Sequence, residues 1–134
     1  MTDHEAIYQL YTRYAAGMDS KQFDMIRSAF ADDARFSIAI KGTEAVPPID
    51  GGQAITDFIE STTRGQNDQR RHVITNIRIG EEDGKLIAYG LLSLFVNDDD
   101  GLRIQATGQY RSEILERSGD VHFGHMHLDL DGAF

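Results

Sequence analysis

Cysteine and tryptophan are missing from the 134 residues, and proline occurs only twice. Without cysteine the chain has no disulfide, no thiolate nucleophile and no thiolate-held metal. Basic residues are scarce: 13 Lys and Arg stand against 22 Asp and Glu, a formal net charge of −9. Phosphate backbones and anionic lipid surfaces both require a basic face, so neither nucleic acid nor a membrane is expected as a partner. No apolar run approaches the roughly 20 residues of a membrane-crossing helix. Met1-Thr2-Asp3-His4-Glu5 lacks the basic start and apolar stretch of a signal peptide, and the expectation is a cytoplasmic protein.

What is present reads as globular. Hydrophobic residues make up 40% of the chain and charged residues 26%, and the length suits one domain spanning residues 1–134. From about Thr2 to Met18, apolar residues recur at helical spacing: Ile7, Leu10, Tyr11, Tyr14 and Met18. Thr2 or Asp3 can cap this helix, and Ser20 can cap a second one running to Phe30. Ala31-Asp32-Asp33-Ala34 then ends that helix and turns into a strand over Arg35 to Ile40. A short hairpin is expected over Thr43 to Ile49, broken by Pro47-Pro48. Asp50-Gly51-Gly52 reads as a turn leading into a third helix from about Gln53 to Thr63, followed by a polar loop over Arg64 to Gln69.

From Arg71 the period changes to two. Four long strands are predicted, at about 71–81, 85–97, 102–117 and 120–130. Their turns are Glu82-Asp83-Gly84, Asn97-Asp98-Asp99-Asp100-Gly101 and Ser118-Gly119-Asp120. In the third of them, Leu102, Ile104, Ala106, Gly108 and Tyr110 share one face. Helices first and a strand meander after give an α+β class, with three N-terminal helices packed on a curved, mostly antiparallel sheet. One helical layer covers only one face of such a sheet, so a homo-oligomer is expected to cover the other.

This order, with Tyr14-Ala15-Ala16-Gly17-Met18-Asp19 ahead of the second helix and Arg71-His72-Val73-Ile74-Thr75-Asn76 opening the first long strand, resembles the SnoaL-like members of the nuclear-transport-factor-2-like superfamily. The resemblance covers essentially the whole chain. It implies a cone-shaped α+β barrel around an apolar pocket and assembly as a trimer or dimer. Val121 stands where many members carry a tryptophan, a departure that touches packing more than chemistry. In the scytalone dehydratase, dehydrochlorinase and bile-acid dehydratase branches, an aspartate ending the first helix pairs with a histidine opening the long strand. The bile-acid dehydratase-like enzymes add a tyrosine five residues before that aspartate. The matching positions here are Asp19, His72 and Tyr14.

The residue types fit proton-transfer chemistry. A histidine near neutrality can take a proton from carbon and return one to a leaving oxygen. A carboxylate on its far nitrogen fixes the tautomer, and a phenol can donate to an oxygen that gains charge. The implied activity is a cofactor-independent dehydratase-type lyase or isomerase acting on a small cyclic or aromatic molecule. Taken singly, each residue also has a plainer role: Asp19 as a cap, His72 as a half-buried strand histidine, Tyr14 as core. A non-catalytic ligand-binding or oxygenase-small-subunit-like domain therefore stays open, as does a polyketide cyclase. Strand and helix alternation place Tyr11, Met18, Ile74, Asn76, Leu92, Leu94 and Tyr110 on the pocket, with His125 joining them if the register of the last strand turns it inward. His125, His127 and Asp129 alternate onto one face of that strand. A metal is a possible use of that spacing; a polar outer face is the plainer one, and no metal site is expected. No cofactor is expected either: Gly51-Gly52 lacks the glycine pattern of a dinucleotide site, and Asn97 to Gly101 lacks the ligand spacing of a calcium loop.

Overall fold

The computed structural model describes residues 4–132. Among these, three helices, α1 (His4–Asp19), α2 (Phe23–Ala29) and α3 (Gly52–Thr63), pack on a curved sheet of six strands. The strands are β1 (Phe30–Ile40), β2 (Ile49–Asp50), β3 (Gln69–Glu82), β4 (Lys85–Asp98), β5 (Gly101–Arg117) and β6 (Asp120–Leu130). Their order in the sheet is β2-β1-β6-β5-β4-β3, and only β1 and β6 run parallel. The cone is thus an open sheet rather than a closed barrel, with β2 and β3 as its edges. No described helix is long and apolar enough to cross a membrane.

The four-strand meander follows the hairpin chemistry of the sequence to within two residues at every end. Its turns use Gly84, Gly101 and Gly119 at positive φ, where a side chain would be strained. The first half departs more from expectation. The proposed caps Thr2 and Asp3 lie outside the described residues. Ser20 does not cap α2, whose N-cap is Gln22 without a side-chain bond. Ser20 instead belongs to the end of α1. Lys21 sits at φ 53, and the bonds Gln22 N–H to Gly17 O (2.8 Å) and Lys21 N–H to Met18 O (3.2 Å) close that end as a Schellman motif. This termination leaves Asp19 in the last helical turn, free to use its carboxylate elsewhere. Gly17 lets α2 come close beneath it: a Cβ there would lie 2.7 Å from Ile26 Cγ1.

Helix α2 ends at Ala29, and β1 begins immediately at Phe30. Pairing with β6 lapses between Phe30 and Arg35, so Ala31 to Ala34 form an irregularity inside the strand rather than a linker. The expected hairpin shrinks to β2, two residues that Arg35 and Asp50 tie to β1 by two ion-pair contacts of 2.6 and 3.0 Å.

Two bulges change which residues face inward. In β3 the register shifts between Thr75 and Arg78, with Asn76 at φ 55. Asparagine tolerates this left-handed conformation, and the extra residue carries it to the surface. In β5, Ala106 pairs with Leu94 but Ile104 pairs with Phe95, so Gln105 is the extra residue. Leu102 and Ile104 consequently leave the face of Ala106, Gly108 and Tyr110 and stand 70% and 62% exposed. The core lies between the helices and the inner sheet face, centred on Tyr11, Tyr14, Phe30, Tyr110 and Phe123. The Tyr11 and Phe123 rings meet edge-on at 5.0 Å, a favoured aromatic geometry.

Candidate functional site

Asp19 and His72 meet. The register that places His72 opposite Leu94 in β3 also brings it under the C-terminal turn of α1. Asp19 Oδ1 accepts from His72 Nδ1 at 2.6 Å, and the two carboxylate oxygens accept the His72 backbone N–H at 3.1 and 3.0 Å. Both side chains are only 11% exposed. A carboxylate held this way keeps the proton on Nδ1 and leaves Nε2 as the basic nitrogen. No described residue partners Nε2.

His72 stands in the wall of a cavity of about 170 Å³ between the helices and the inner sheet face. Tyr14 and Met18 of α1, Leu92 and Leu94 of β4, and Tyr110 of β5 line it. The Tyr14 and Tyr110 hydroxyls are 3.2 Å apart, with either able to donate, and their rings cross at 86°. One proton of the two lies in that bond, and the other is available to a ligand. Burial pushes the Tyr14 phenol up to about 12, against the lowering effect of its bond to Tyr110. Burial also holds Tyr110 well above the ordinary phenol value, with Tyr14 beside it adding to the shift. Both phenols are therefore neutral donors throughout the physiological range.

Four of the expected pocket residues fall elsewhere. Tyr11 is core: its hydroxyl donates to Ser112 Oγ at 3.0 Å and Ala88 O at 3.3 Å, away from the cavity. Ile74 faces an outer groove of about 330 Å³ between α1 and β3, which Asp19 and His72 also line, so that His72 stands in the wall between groove and cavity. Asn76 is the exposed bulge residue described above. His125 lies opposite Arg35 and bonds Ser37 Oγ through Nε2 at 2.8 Å, part of an outer chain that continues through His127 Nδ1 (2.7 Å to Ser37) to Asp129 (3.1 Å from His127 Nε2). Burial lowers the His125 pKa, the largest of several opposing influences. Among the described residues no three His, Cys, Asp or Glu side chains converge to hold a metal ion.

The cavity wall also contains residues that strand and helix patterns left out. Phe36 and Ile38 of β1 and Leu128 and Leu130 of β6 come from two strands whose parallel pairing no local turn announces. Thr62, Thr63, Gln66 and Arg70 form a polar end where α3 stops and β3 begins. The strand starts at Gln69, inside the stretch expected to be loop, so the alternation that places Arg70 on the face of His72 could have been read only with the earlier start.

Solved structures resemble this one throughout. A candidate beta subunit of an aromatic-ring-hydroxylating dioxygenase from Novosphingobium aromaticivorans is 22% identical, with a TM-score of 0.80 over 97% of this chain and 90% of that one. An NTF2-like protein with a cystatin-like fold from the same organism is 19% identical, with a TM-score of 0.82 over 98% and 84%. ActVI-ORFA from Streptomyces coelicolor is 16% identical, with a TM-score of 0.81 over 96% and 97%. At such identities the likeness is one of fold. No protein of curated function matches the sequence significantly. The sequence model of the SnoaL-like domain matches residues 1–127, and with the three helices on an open, curved sheet around a cavity it establishes that the chain belongs to the SnoaL-like domain family.

Proposed function

We propose that this chain is a cofactor-independent lyase or isomerase acting on a small cyclic or aromatic molecule by proton transfer. The carrying observation is the 2.6 Å contact between Asp19 and His72 Nδ1, with the opposite ring nitrogen unpartnered at a cavity that two phenols also line. His72 Nε2 takes a proton from the carbon beside a carbonyl. The electron pair of that C–H bond moves into an enolate, whose oxygen accepts a hydrogen bond from the Tyr14–Tyr110 pair. Asp19 balances the imidazolium that forms. In a dehydratase, the enolate then expels a hydroxyl from the neighbouring carbon, the imidazolium protonates it, and water leaves with a new double bond in place. In an isomerase, the same proton returns to a different carbon. At about 170 Å³ the cavity is smaller than the ~300–1,000 Å³ of drug-sized sites, which favours a molecule of one or two rings.

The test is α-proton exchange and water loss from a panel of cyclic ketones and β-hydroxy ketones in D2O, followed by NMR. Wild-type protein should accelerate exchange, and His72→Ala should reduce that acceleration by about 10²–10⁴-fold. Equal rates for the two proteins would sink the reading. A subunit-like or ligand-binding role is the second reading. It draws on the dioxygenase beta-subunit neighbour, and in it His72→Ala alters stability alone.

Copies of the chain, three or two, cover the outer sheet face in this proposal. Leu102 and Ile104 stand out from it, with Leu91 and Val73 on the adjoining strands also exposed. Sedimentation equilibrium should give a multiple of the 15.0 kDa chain mass. A monomer at micromolar concentration would remove this part.

A further inference from the structure

The cavity holds one charge that proton transfer leaves unused. Arg70 lies two residues before His72 in β3 and so on the same strand face. It is the only lysine or arginine among the described residues lining the cavity. Its side chain is 23% exposed, and its Nε donates to Asp68 Oδ1 at 3.1 Å. No described residue takes either η nitrogen. A guanidinium has five N–H donors in a planar fork, so four remain for water or a ligand.

The hydroxyl donors around Arg70 are already engaged, and so is one hydrogen of the Gln66 amide. The Thr62 and Thr63 hydroxyls donate to Ile59 O at 2.9 and 2.8 Å, and the Gln66 side-chain amide donates to Thr62 O at 3.0 Å. What remains at this end is an open fork of donors on an otherwise mostly apolar wall. Planar, bidentate recognition of a carboxylate is the chemistry such a fork performs best.

We propose that Arg70 anchors a carboxylate, and that the ligand of this cavity is a one- or two-ring carboxylic acid. Its ring packs on Leu92, Leu94 and Leu128 while the acid group meets the free η nitrogens. The inference rests on reading the cavity as the substrate site but not on the reaction performed there. Alternate strand positions are roughly 6.6 Å apart. The carbon that His72 reaches therefore lies within about one ring's width of the acid group. The protein's net charge of −9 opposes an incoming anion at long range, so affinity must come from close contact. Asp68 competes for the same guanidinium and limits that affinity.

Benzoate and its neutral counterpart benzyl alcohol, titrated separately into the full chain, test this by NMR shifts of the His72 and Leu94 backbone amides. Wild-type protein should prefer benzoate. Arg70→Gln should weaken benzoate by about tenfold, the loss of one charge-assisted contact, and leave benzyl alcohol within about twofold. Retained benzyl alcohol binding also reports that the variant's cavity is intact. Asp68→Asn should strengthen benzoate binding, and this second variant keeps the idea testable if Arg70→Gln fails to fold. Undiminished benzoate binding in Arg70→Gln, no preference in the wild type, or weaker binding in Asp68→Asn would each overturn the anchor while leaving the cavity reading in place. Absence of any shift with either probe in the wild type would overturn both.

Discussion

Asp19→Asn should lower turnover by about 10³–10⁴-fold, the scale on which an orienting carboxylate acts on a catalytic histidine. The carboxylate presents two acceptors to His72, one shared by Nδ1–H and the backbone N–H and the other facing the backbone N–H alone. An amide has one acceptor and one donor group in the same place. With its oxygen toward Nδ1, its NH2 opposes the His72 N–H. With its oxygen toward the backbone, its NH2 donates to Nδ1 and drives the proton to Nε2. The second arrangement keeps the strand in place but removes the free basic nitrogen. Turnover should therefore collapse while binding of a neutral ring compound changes little. Stability should fall by about 1.5–3 kcal/mol, because the lost contacts are charge-assisted. Turnover within threefold of wild type would make Asp19 an architectural tie between α1 and β3, nothing more.

Tyr14→Phe should reduce kcat by about 10²–10³-fold with a much smaller effect on KM, the signature of a donor used mainly when charge develops on the substrate oxygen. The variant also leaves the Tyr110 hydroxyl without its 3.2 Å partner, which costs about 1 kcal/mol of stability. Tyr110→Phe supplies the comparison. The two variants remove the same mutual bond, so their structural costs are similar and their kinetic costs need not be. The phenol whose loss costs more in kcat is the one that faces the oxygen. Because burial holds both phenols above their ordinary range, neither variant should alter the pH–rate profile between pH 6 and about 9. A new alkaline limb in Tyr14→Phe, or a kcat unchanged in both, would remove the dyad from the reaction.

Local pattern was strong enough to put Tyr14 and Asp19 on a long amphipathic helix and His72 near the start of a long alternating strand, but it left each with a plainer role, and only the family resemblance singled them out as a set. The meander was legible from local pattern alone, since Gly84, Gly101 and Gly119 mark its turns. What failed was parity. Asn76 and Ile104 were assigned faces by counting in twos, and one extra residue in β3 and one in β5 reversed the count. Bulges of this kind are set by how neighbouring strands twist past one another, and no residue type near Gln105 announces one. His125 shows the long-range version of the same limit. Its outward face follows from parallel pairing with a strand some ninety residues earlier, beside Arg35 and Ser37. Arg70 was hidden by an edge: it falls between the loop expected to end at Gln69 and the strand expected to open at Arg71, and among the described residues it is the only lysine or arginine of the cavity wall.

The Asp19–His72 pair and most of the apolar wall sit on different pieces of chain. Asp19 and His72 belong to α1 and β3, while Phe36, Ile38, Ile59, Ala106, Leu128 and Leu130 come from β1, α3, β5 and β6. Reshaping the chamber at those six positions therefore leaves the elements that carry the Asp19–His72 contact unaltered in sequence. Such a division makes the scaffold permissive to evolutionary drift in what it accepts, and it gives an engineer separate handles for substrate shape and for chemistry.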